Sequence, residues 1–145
     1  MNFLDALHIS SSALSAQRIR MNIISSNLAN ANSTRTLQGG PYKRKDVIFA
    51  AHQNFPTFQH MLKSQLRGNL SEVKVLGIIT DPRPPRLKYD PQHPDANAQG
   101  YVAIPNVNLI EEMVNMISAT RSYEASVAAI NATKNMALKA LEIGR

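Results

Sequence analysis

The sequence predicts a mainly α protein with a small β part: long N- and C-terminal helices forming an antiparallel coiled-coil-like pair, joined by a β-hairpin and extended Pro-rich loops. Three observations carry this expectation. Apolar residues recur at seven-residue spacing near both ends of the 145-residue chain. The middle holds short β-branched and alternating runs between Gly- and Pro-rich breaks. Aromatic residues are scarce at 6% and Trp is absent, which favours thin, elongated packing over one thick core. The chain divides into an N-terminal helical segment at 1–34, a basic middle at 35–105, and a C-terminal helix at 106–145 that packs with the first.

The first helix is expected from about Phe3 to Ala29. Leu7, Leu14, Met21 and Leu28 are spaced by seven, and Phe3 and Ile24 take the companion heptad position. Ser10 and Gln17 interrupt that second row. The pattern suits a seam made for other helices, or an amphipathic helix laid on a local core. Asn27 and Asn30 are read as residues that leave the helix, because Asn tolerates the left-handed conformation and satisfies terminal carbonyls.

The last helix is expected from Asn108 to Ile143. Pro105 ends the preceding chain, Asn108 is a natural N-cap, and Glu111 stands where a capping box places its acid. Glu111 and Glu112 suit the positive end of the helix, and Lys139 and Arg145 the negative end. Its seam is Leu109, Met113, Met116, Thr120, Tyr123, Val127, Ile130, Lys134, Ala137 and Leu141, with only Thr120 and Lys134 polar. Gly144 is the expected stop. At ~1.5 Å per residue this helix is about 53 Å long, wider than a compact domain of this size. Much of its length must therefore project or meet another helix.

In the middle, Val47-Ile48-Phe49 is expected as a strand. Val73 to Ile79 and Arg86 to Tyr89 are read as the arms of a β-hairpin, with Asp81-Pro82-Arg83-Pro84-Pro85 as the turn. Pro91 and Pro94 begin an extended connector into Tyr101–Pro105. Residues 54–70 read equally as a loop or a short helix.

The net charge is +6, concentrated in residues 35–88, where ten Lys and Arg stand against three Asp and Glu for a net of +7. Lys43, Arg44 and Lys45 are read as a basic lateral surface. A nucleic-acid or polyanion-binding helical oligomer is the alternative reading of this charge, although no DNA- or RNA-recognition motif accompanies it. An enzymatic role finds no support. There is no Cys, the four His lack metal-ligand spacing, and no phosphate loop or nucleophile elbow occurs. A hydrolase would need an acid pair, and adjacent helix residues such as Glu111 and Glu112 point about 100° apart. No cofactor is expected. No apolar run reaches the ~18 residues of a membrane span. The start of the chain lacks the positive and apolar regions of a Sec-type signal.

Met21-Asn22-Ile23-Ile24-Ser25-Ser26-Asn27-Leu28-Ala29-Asn30 resembles the N-terminal signature of the flagellar rod and hook protein family. In that family a heptad helix ends in S-x-N-L-A-N, matched here by Ser25 to Asn30, with Ser26, Asn27, Leu28, Ala29 and Asn30 taken as the signature residues. Gly39 to Phe49, Asp81 to Ala96, Gly100 to Val114 and Met136 to Arg145 extend the likeness in order along the chain. It is most similar to the short members, which lack an extra middle domain. The resemblance implies a structural subunit of the proximal rod in the periplasm. It implies export through the flagellar type III apparatus and an inner tube of N- and C-terminal helices. The implied partners are copies of itself, the rod proteins FlgB, FlgF and FlgG, and the adaptor FliE. It implies no nucleic acid and no direct membrane span. Residues 52–71 carry no recognisable family role.

Overall fold

The structure is a computed structural model that describes residues 3–52 and 71–143. The elements in order are α1 (Phe3–Ala29), β1 (Lys45–His52), β2 (Glu72–Thr80), β3 (Arg86–Tyr89), β4 (Tyr101–Ile104) and α2 (Leu109–Ile143). The protein is thus mainly helical with two small antiparallel sheets, β1-β2 and β3-β4. The expectations for residues 54–70 and for Gly144 fall outside the described residues.

α1 and α2 lie against each other in opposite directions. Near the end of α1, Asn27 meets Glu112; two turns earlier, Met21 meets Thr120. At ~1.5 Å per residue the helices are about 40 and 52 Å long, so α1 runs along most of α2. The polar seam position Thr120 is accommodated locally. Its hydroxyl donates to the Met116 carbonyl at 2.9 Å, and Ser122, Ser126 and Thr133 likewise donate one turn back. Gln17 is less well served: its Oε1 is buried with no hydrogen-bond partner among the described residues.

Asn108 caps α2. Its Oδ1 accepts from Ile110 N at 3.1 Å and its carbonyl from Glu112 N at 3.0 Å. Near the other end of α2, Lys139 pairs with Glu142 at 2.7 Å.

The strands differ from the expected hairpin. β2 pairs with β1, from Lys45↔Thr80 to His52↔Glu72, and β3 pairs with β4, from Arg86↔Ile104 to Tyr89↔Tyr101. Asp81 to Pro85 does turn the chain, but it carries it from one sheet to the other. Three of its five residues are Pro and have no N–H to give to a tight hairpin. Asp81 N instead bonds Arg44 O at 2.8 Å, which extends the β1–β2 ladder past its end. The β-branched run therefore finds its partner across residues 53–71. The segment into which the connector from Pro91 and Pro94 leads, Tyr101–Ile104, is a strand.

The β1–β2 sheet packs on α1 through both strands. Ser12 Oγ accepts from Val73 N at 3.2 Å. The buried residues among those described are Ala16, Ile24, Asn27, Ala31, Val102, Pro105, Val107, Glu112 and Ala119. Two of these nine, Asn27 and Glu112, are polar, and they touch each other.

Candidate assembly site

The polar centre is built from three elements. Asn27, near the end of α1, is 1% exposed and uses its whole amide. Its Nδ2 donates to Glu112 Oε2 at 2.9 Å and to Lys45 O at 2.8 Å; its Oδ1 accepts from Lys45 N at 3.0 Å and Tyr42 Oη at 2.9 Å. The amide thus pairs with both backbone groups of the first residue of β1, as a neighbouring strand would. Ser26 Oγ lies 3.4 Å from Tyr42 Oη, bringing a second signature residue to the cluster.

Glu112, on the first turn of α2, is fully buried. Its second oxygen, Oε1, accepts from Arg44 Nε at 2.8 Å. The Arg44 side chain is only 13% exposed and also reaches Asp46 at 3.1 Å. Burial works against the Arg44 charge. The hydrogen bonds and charges of Glu112 and Asp46 more than offset it, and the pKa stands above the usual guanidinium value. No buried side-chain atom of Asn27, Arg44 or Glu112 lacks a hydrogen-bond partner, the condition under which a buried polar network rigidifies rather than destabilises. An open, polar cleft of about 250 Å³ adjoins the cluster, bordered by Arg20, Lys45, Glu111 and Asn115 among others.

These contacts correct two expectations. Arg44 is not part of a lateral basic surface: it faces inward and is neutralised by acids of its own chain. Lys43 and Lys45 remain exposed, with Lys45 Nζ 5.9 Å from the centre of the Tyr42 ring. Nor do Asn27 and Asn30 leave the helix in a left-handed conformation, since no described residue other than Gly has positive φ. Asn30 instead donates from Nδ2 to Ser26 O at 2.9 Å and accepts from Ser33 Oγ at 3.2 Å, and the left-handed positions come later, at Gly39 and Gly40. Leu28 is half-buried and Ala29 exposed.

The predicted seam residues fall into two groups. Ile24 is buried, and Leu7, Leu14, Met21, Leu28, Met116, Tyr123, Val127 and Ile130 are partly covered. Phe3, Leu109, Met113 and Leu141 are 42–71% exposed, so nothing in the chain covers them fully. Ile110, Val114 and Ile117 are 56–70% exposed beside Leu109 and Met113, giving the first three turns of α2 an apolar outer face. Glu112 was legible only through its place on the other side of that helix, four residues before Met116 and seven before Ala119.

At the far end of β2, Arg83 holds Asp81. Arg83 N and Nε donate to the carboxylate at 2.9–3.0 Å, and these bonds lower the Asp81 pKa to about 2. Among the described residues no three His, Asp or Glu are grouped to hold a metal, and no helix is long and apolar enough to cross a membrane.

Two helices of opposite direction, tied by a buried polar cluster and with an apolar outer face at the start of α2, define a structural building block for helical assembly. Comparison with known proteins agrees. Residues 7–35 match the family described as flagella basal body rod protein, and residues 98–143 match the flagellar basal body rod FlgEFG protein C-terminal family. The chain is 48% identical to the flagellar basal-body rod protein FlgC of Bacillus subtilis, with both proteins covered completely. It is 44% identical to that of Borreliella burgdorferi, over 99% of this chain and 98% of the relative, and 41% identical to that of Salmonella typhimurium, over all of both. The chain belongs to the FlgC family of flagellar basal-body rod proteins. It is a structural subunit of the basal-body rod, not an enzyme.

Proposed function

We propose that the chain is a proximal-rod subunit that carries torque through its paired terminal helices. Residues 1–34 and 106–145 form the load-bearing part, with coiled-coil-like packing, and residues 35–105 form an outer part clamped to it. The observation that carries this reading is the satisfied buried cluster of Asn27, Glu112 and Arg44, which joins both helices and β1 at one point. Load entering the sheet reaches both helices without passing through a loop.

The exposed members of the seam (Phe3, Leu109, Met113 and Leu141) and their neighbours Ile110, Val114 and Ile117 are the contacts to other subunits. Each apolar side chain covered there contributes about 1.5–3 kcal/mol. The neighbours are copies of the chain, the rod proteins FlgB, FlgF and FlgG, and the adaptor FliE. Lys43 and Lys45 form the lateral surface. The subunit reaches the periplasm through the flagellar type III apparatus. Site-directed photocrosslinking from position 114 in cells tests the reading. Adducts to rod subunits in purified basal bodies are expected, and adducts at position 114 absent from basal bodies that contain the subunit would refute it.

A further inference from the structure

The apolar rows do not by themselves choose one alignment of α1 with α2. Leu7, Leu14, Met21 and Leu28 repeat every seven residues, and so do Met113, Thr120 and Val127 in the facing row. Sliding α2 by seven residues, about 10 Å, brings a seam residue back to each seam position. In the observed alignment Met21 meets Thr120, and Asn27 meets Glu112. One slip sets Met21 against Val127 and Asn27 against Ala119; the opposite slip sets Met21 against Met113 and Asn27 against Pro105.

We infer that the cluster of Asn27, Glu112 and Arg44 is a register lock, a set of positioning residues that selects one alignment of the two terminal helices. The heptad spacing is preserved by the slip, and the cluster is not. Neither Ala119 nor Pro105 has a side-chain acceptor for Asn27 Nδ2. Arg44, 13% exposed, loses the carboxylate held 2.8 Å from its Nε. Each unmet buried group disfavours a slipped state by about tenfold or more. A buried polar contact in an otherwise apolar seam is a known means of specifying register. The lock also fixes where the apolar outer face at Leu109–Ile117 sits relative to α1. The inference rests on the packing of α1 and α2, not on the rod role, and its failure would leave that role standing.

The chain has no Cys, so introduced pairs are its only thiols. Disulfide trapping in the purified full-length monomer compares Met21→Cys/Thr120→Cys with the slipped reporters Met21→Cys/Val127→Cys and Met21→Cys/Met113→Cys. With the native cluster, the first pair is expected to close at least about tenfold more than either other pair. In an Asn27→Leu/Arg44→Met/Glu112→Leu background the preference is expected to fall to about threefold or less, with helical circular dichroism retained. A preference that stays at its native level in this folded variant would assign the register to the connecting segments and overturn the proposal. If the triple variant loses its helical signal, two single changes decide. Asn27→Ser and Glu112→Gln, whose single acceptor oxygen leaves Asn27 Nδ2 or Arg44 Nε facing an amide N–H, are each expected to lower the preference. A native-level preference in both folded variants refutes the lock.

Discussion

Asn27 Nδ2 lies 2.9 Å from Glu112 Oε2, a hydrogen bond between residues 85 apart in sequence, made where both side chains are almost wholly out of water. It joins the signature of the N-terminal helix to the first turn of the C-terminal one.

Replacing Asn27 by Ala leaves Lys45 N and O and one Glu112 oxygen without this partner. The expected loss is about 2–3 kcal/mol of unfolding free energy, since orphaned buried groups cost about 1–3 kcal/mol each and water at the open cleft recovers part. Urea denaturation of the purified chain measures it. A loss under about 0.5 kcal/mol, typical of a neutral surface site, would show that the network contributes little.

Glu112 separates charge from shape. Glu112→Leu strands the Arg44 guanidinium and is expected to cost about 3 kcal/mol, whereas Glu112→Gln keeps an acceptor for one of the two donors and is expected to cost about 2 kcal/mol. Adding Arg44→Met to Glu112→Leu should recover most of the loss. A double-mutant cycle reads the coupling. Additive costs would mean that the two side chains act independently.

Asp81 gives a pH signature. Its folded pKa of about 2 lies below the ordinary carboxylate value because Arg83 donates to it. A lowered folded pKa contributes stability above the ordinary value, near 4, and that contribution is lost as pH falls through about 2. Carboxyl NMR titration should find the Asp81 midpoint near 2, returning toward the ordinary range in Arg83→Ala. An ordinary midpoint in the native chain would rule out this pairing in solution.

Ala128 lies in the middle of α2 and is exposed, so Ala128→Pro tests the continuous helix without disturbing a core side chain. The lost hydrogen bond and the ring clash are expected to cost about 3 kcal/mol or more and to abolish swimming in soft agar. Ala128→Ser should swim normally. Full motility of the Pro variant would show that the rod does not need an unbroken α2.

How much of this was legible in the sequence depends on the range of each interaction. The helices were, because seven-residue spacing and the cap at Asn108 are local signals. The strand segments were partly legible, at Val47–Phe49, Val73–Ile79 and Arg86–Tyr89, but their pairing was not. β-branched composition marks a strand without naming its neighbour, and the Pro-rich turn between β2 and β3 looked like a hairpin. The centre of the site was least legible. Asn27 belonged to a recognisable signature, yet its role depends on Lys45 and Glu112, 18 and 85 residues away. Arg44 looked like its exposed neighbours Lys43 and Lys45, and only the fold sets it against a buried acid.

The contact between the Asn27 amide and Lys45 has a further consequence. Among the described residues β1 has β2 on one side and no strand on the other, and an open edge of a short antiparallel sheet can pair with a passing strand. By occupying the N–H and C=O of the first residue of β1, Asn27 blunts that edge at its start. Subunits that are crowded into a growing structure are thereby discouraged from joining strand to strand, a mode of growth with no fixed length and no return. Assembly is left to the side-chain faces of the helices, where the pattern of residues decides which neighbour fits.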